Sequence, residues 1–64
     1  MTGYDAYRTA KVLADNGHTD SDAVTHADID TAADTAGVAR PTADDRHAVR
    51  GALDALNLRT EATA

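Results

Sequence analysis

The side chains with the most chemical potential in this chain are three histidines and ten aspartates. His18, His26 and His47 with neighbouring carboxylates are the raw material of a metal site. Yet no H-x-x-x-H pair and no D-x-D-x-D-G run occurs, and the histidines fall on different segments. His26 and Asp30 have the i,i+4 spacing that makes a surface pair on a helix rather than a ligand set. No Ser/His/Asp arrangement, phosphate-cradling glycine loop or apolar-site carboxylate pair can be recognised, and 64 residues leave little room to enclose a substrate. No catalytic residue, metal ligand or cofactor is expected, so the chain reads as a non-catalytic binding module. The remaining suggestive chemistry is cationic: Arg40, Arg46 and Arg50 recur along one short segment, where guanidinium groups suit a polyanion.

Charge is unevenly spread around those arginines. Residues 1 to 37 hold Arg8 and Lys11 against seven aspartates, a net of −5, whereas residues 38 to 59 hold four arginines against three aspartates, a net of +1. The overall formal charge of −5 argues against indiscriminate nucleic-acid binding. Ten Asp to one Glu and five Arg to one Lys is the bias of high-GC coding or of adaptation to high salt, where such charges are screened. Cysteine is absent, which removes disulfides and thiolate ligands. No apolar run approaches membrane length and no signal-peptide pattern opens the chain, so a cytoplasmic protein without membrane contact is expected.

The elements that must position these side chains are helical. Val24 to Val38 carries the fullest set of signals: Thr25 as N-cap, Asp28 closing a capping box, and Gly37 as a left-handed exit. Val24 can staple onto Ile29 and Val38 can fold back onto Ala33, while Ile29, Ala32, Ala33 and Ala36 form a narrow small-residue stripe. An earlier helix starts at Thr2 with Asp5 and stops at Asn16-Gly17. It places Ala6, Tyr7, Ala10, Leu13 and Ala14 on one face and Arg8, Lys11 and Asp15 on the opposite one. Tyr4 and Val12 lie off that stripe and are candidate contacts for a partner or for the C-terminal segment. His18 to Ala23 is a polar connection, with room for one helical turn.

A third helix is expected from Thr42, capped with Asp45, to about Asn57. Ala48, Val49, Ala52, Leu53 and Leu56 share its core side, and Arg46, His47, Arg50 and Asp54 share the other, with Arg50 and Asp54 spaced for an i,i+4 pair. Leu58 should fold back against the core, residues 1 to 59 form one domain, and Thr60 to Ala64 reads as a polar tail. No segment alternates apolar and polar residues as a strand would. The fold expected is all-α, a small three-helix domain. Its few large apolar side chains imply marginal stability, or help from self-association or a partner.

The run A-A-x-x-A-G-V-x-x-x-T, here Ala32, Ala33, Ala36, Gly37, Val38 and Thr42, resembles the helix-turn-helix of bacterial repressor-type DNA-binding domains over residues 24 to 56. Two helices crossing over a short turn need small residues where the first lies on the second, and a glycine where the chain changes hand. The resemblance implies a helix-turn-helix-like second and third helix without a wing, the latter entering the major groove of duplex DNA. It places the nucleic-acid contacts at Arg40, Thr42, Ala43, Arg46 and His47, with Arg50 on a phosphate, in a regulatory protein acting as a homodimer. Asp44 and Asp45, in the first turn of the same helix, suit its dipole but would repel phosphate. The Asp20-Ser21 pair is similar to the one that carries phosphopantetheine in acyl carrier proteins, but Asp22 occupies the place of that family's hydrophobic residue, and the stretch reads as an ordinary capped turn. The second reading of the whole chain is an acidic protein-interaction or assembly subunit of a larger complex or viral particle, making contact through Tyr4, Tyr7, Val12 and Leu58.

Overall fold

Three threonine-aspartate boxes set where the helices begin. In the computed structural model, which describes the backbone of residues 1 to 63 and the side chains of residues 1 to 58, the helices are α1 (Gly3–Asp15), α2 (His26–Thr35) and α3 (Ala43–Thr63). Thr2 accepts from the Asp5 amide and Asp5 accepts from the Thr2 amide. Thr25 with Asp28, and Thr42 with Asp45, repeat that reciprocal arrangement. Each box satisfies two amides that the first helical turn leaves without partners. Among the described residues there is no strand.

Two of the helices also end alike. Gly37, at φ 75°, lets the Val38 amide reach the Ala33 carbonyl at 2.8 Å and its own amide reach Asp34 at 3.1 Å. Gly17, at φ 90°, does the same for α1, with His18 bonding Leu13 and Gly17 bonding Ala14. These are paired six-to-one and five-to-two closures, and their left-handed residue is inexpensive only as glycine. α3 has no such stop near Asn57 and continues to Thr63, so the tail expected from Thr60 is helical as far as the backbone is described. Ala64 lies outside the described residues.

The core is a layer of Leu13, Val24, Ile29, Val49 and Leu53 interleaved with Ala6, Ala10 and Ala32. Val24 and Ile29 are both buried, as the staple requires. α1 packs most extensively on α3 and next on α2, whereas α2 and α3 approach each other least, although side chains of both enter the same core. The direct seating of α2 on α3 expected of a helix-turn-helix pair is therefore slight, and α1 is the element through which the others are held. Thr9 joins the core fully buried because its hydroxyl donates to the Asp5 carbonyl one turn back at 2.9 Å. Ala48, expected in the core, is exposed, since the buried side of α3 runs through Val49 and Leu53 with Ala52 and Leu56 at its edge. No helix among the described residues is long and apolar enough to cross a membrane.

Candidate interaction surface

The arginines expected to face a polyanion are mostly employed inside the fold. Arg46 reaches across to α2 and meets Asp30 twice, Nη2 to Oδ2 at 3.2 Å and Nε to Oδ1 at 3.3 Å. With side chains only 20% and 31% exposed, this pair bridges the two helices that approach each other least. Asp30 thus serves Arg46 rather than the expected partner His26. Arg50 donates to the Ser21 carbonyl, and Asp54 accepts from the Ser21 hydroxyl at 2.6 Å. Both residues of the expected intrahelical pair instead hold the connection between α1 and α2. Asn57 completes the clamp by donating to the Thr19 carbonyl at 2.6 Å.

Spacing explains that clamp. Residues 50, 54 and 57 form one stripe of α3, and the turn at Asp20 to Ala23 lies along it. Ser21 is buried by this contact, and Thr19 and Asp22, although spaced like the three capping pairs, form no box: the Asp22 amide bonds the Asp20 carboxylate. Thr42 is consumed as an N-cap. Asp45 turns back to that cap and to the Met1 ammonium, 3.5 Å away. The Thr42 amide holds the Asp45 carboxyl below its ordinary value, and the Thr25 amide does the same for Asp28. Of the six residues the resemblance named, Arg40, Thr42, Ala43 and His47 are exposed, as is Asp44, while Arg46 and Arg50 are half-buried.

A different face collects the exposed aromatic surface. Tyr4 is 69% and Tyr7 40% exposed on α1, and with Arg8, Lys11, Val12 and Ala36 they line a shallow groove along that helix. Arg8 sits 5.7 Å from the centroid of the Tyr4 ring and donates through Nη2 to the Ala36 carbonyl at 2.6 Å. One guanidinium therefore braces the tyrosine and closes the end of α2, where the helix dipole favours a cation. Tyr7 also borders an apolar recess formed by Ala52, Ala55 and Leu56 of α3, which continues the surface from one helix to the next. Three of the four expected interaction residues, Tyr4, Tyr7 and Val12, are thus brought together. Leu58 is not: 65% exposed, it neither folds back onto the core nor joins α1, and borders the Thr19 to Ser21 side.

The three histidines do not assemble with carboxylates into a group able to hold a metal among the described residues. Compared with known protein families, with curated proteins and with solved structures, the chain matches none. The fold and surface define a small all-α, three-helix domain with one exposed aromatic and cationic helix face.

Proposed function

We propose that this chain is a non-catalytic protein-interaction module, a component of a larger complex in the cytoplasm, that engages its partner through the outer face of α1. The observation that carries the reading is the joint exposure of Tyr4 and Tyr7 over one groove. Aromatic side chains offer large contact area at little entropic cost, and they are enriched where interfaces form. A core of only five large buried aliphatics, interleaved with three alanines, leaves further stability to be gained on association.

Regulatory DNA binding is a second reading, favoured by the exposure of Arg40, just ahead of α3, and of His47 within it. It is weakened by the engagement of Arg46 and Arg50 within the fold and by Asp44 beside them. Two measurements separate the readings. A photocrosslinking amino acid at position 4 should give a discrete adduct in cells, and the same group at position 34 on α2 should not. Equal adducts from both positions, or none from position 4, would remove the interaction reading. A duplex titration at low salt should show no binding that falls with added salt; a steep salt slope would restore DNA.

A further inference from the structure

Between Ala6 and Ala14, α1 carries two cations, Arg8 and Lys11, and no anion, in a chain of formal charge −5. Residues 4, 8, 11 and 15 follow one another at helical spacing and border the same groove. Arg8 spends one donor on an uncharged carbonyl and so keeps its charge. Lys11 meets Asp15 at 3.8 Å with side chains 58% and 69% exposed, a contact too solvated to hold the ammonium. The other anion-free stretch with two cations, Arg46 to Leu53, is closed off by Asp30 and the Ser21 carbonyl. Among the described residues the hydroxyls of Tyr4 and Tyr7 have no hydrogen-bond partner within the chain.

We propose that the groove along α1 binds an acidic amphipathic helix of a partner protein, an assignment that rests on the interaction reading above. The partner's apolar side chains lie over Tyr4, Tyr7 and Val12, and its carboxylates meet Arg8, Lys11 and the tyrosine hydroxyls. The chain's net negative charge does not forbid this. At physiological ionic strength charges beyond about 8 Å are largely screened, so the groove's own rim decides the sign. Of the acidic residues on α1, Asp5 is turned back into its cap and Asp15 lies at the far end of the groove. A second copy of the chain fits poorly. Two α1 helices packed antiparallel with the centre of this stripe on the axis, the register of fullest overlap, would bring Arg8 of one copy to Lys11 of the other, and like charges in contact are unfavourable.

The test uses the full chain, labelled with nitrogen-15, and three designed helical peptides that share one leucine stripe and carry Glu, Gln or Lys beside it. The Glu peptide should shift the amides from Tyr4 to Asp15 and bind at least tenfold more tightly than the Gln peptide, with the Lys peptide weakest. Lys11→Glu should invert the order of the Glu and Lys peptides, and Lys11→Gln should narrow it; neither change touches the Arg8 contact with Ala36. Gln and Lys peptides that bind the α1 face as well as the Glu peptide would overturn the acidic partner and leave the interaction surface standing. α1 shifts that depend only on the concentration of the chain itself would make a second copy the occupant and also overturn it. Absence of α1 shifts with every peptide would overturn the acidic helix, while the position 4 crosslink decides the interaction surface independently.

Discussion

Arg46 and Asp30 join α3 to α2 through two parallel hydrogen bonds, at the helix pair that packs least extensively in the fold. A double-mutant cycle with Arg46→Gln and Asp30→Asn should give a coupling of about 1 kcal/mol, at the upper end for a partly exposed pair because the geometry is bidentate. In a domain this small, about 1 kcal/mol corresponds to roughly 4 to 8 °C in melting temperature. Coupling near zero would mean that α2 and α3 hold together without it.

The glycines should respond to alanine in opposite directions. An added Cβ meets no atom within 4 Å at Gly37 or at Gly51. Gly37→Ala nevertheless forces a side chain into the left-handed region, at a cost of about 1 to 2 kcal/mol. Gly51→Ala, inside α3, should stabilise by about 0.5 to 1 kcal/mol because glycine is the poorer helix former. Thermal melts of the two variants should therefore move apart on either side of the parent.

The clamp on the connection between α1 and α2 is open to local measurement. Arg50→Ala removes the donor to the Ser21 carbonyl, and Asn57→Ala removes the donor to Thr19. Hydrogen exchange in residues 19 to 23 should accelerate about tenfold or more, the equivalent of one hydrogen bond's net contribution. Amides of α2 should be little changed, since its own cap and closure are untouched. Uniform acceleration over all three helices would instead mark the clamp as a determinant of global stability.

Acid should weaken the fold through the capping aspartates. Asp28 and Asp45 hold their protons less tightly when folded than the ordinary value of 3.8 because each carboxylate accepts from a threonine amide. The unfolded chain therefore binds more protons near and just below that value, and stability rises with pH there. The stabilisation is complete above about pH 5 and lost as pH falls through 3.8 and through the lowered folded values. Asp28→Asn and Asp45→Asn should each flatten the acid limb of a stability profile while leaving its slope near neutrality unchanged.

Much of the backbone was legible because its signals are local. Thr2, Thr25 and Thr42 with their aspartates, and Gly17 and Gly37, specify starts and stops from residues a few positions apart. Thr19 and Asp22 share the spacing of those threonine-aspartate pairs without forming a box, since the Asp22 amide bonds Asp20. What could not be read was which distant groups would meet. Arg46 with Asp30, Arg8 with Ala36 and Arg50 with Ser21 are each set by how the helices pack. Wheel positions placed these arginines facing solvent; long side chains crossing to a neighbouring element leave no periodicity to find. The burial of Thr9 had a findable cause, since its hydroxyl is satisfied within its own turn. Tyr4 and Val12 were visible as residues off the apolar stripe, and helical spacing alone sets them beside Tyr7; what the sequence did not show is that Tyr4 and Tyr7 stay exposed while Val12 is partly buried, and that Ala36 closes the groove.

The matched beginnings and endings of α1 and α2 bear on how this protein fails. Each of these helices carries its boundaries within its own sequence, whereas their mutual arrangement rests on a thin alanine-rich layer and a few bridging guanidinium groups. A substitution in that layer, Leu53→Ala for instance, dissolves the arrangement before it moves a helix end. The damaged chain is then a loose, fluctuating assembly that keeps most of its far-ultraviolet circular dichroism and binds hydrophobic dyes. Abundance in the cell would respond to such changes more sharply than helical content, because degradation acts on the loosened state.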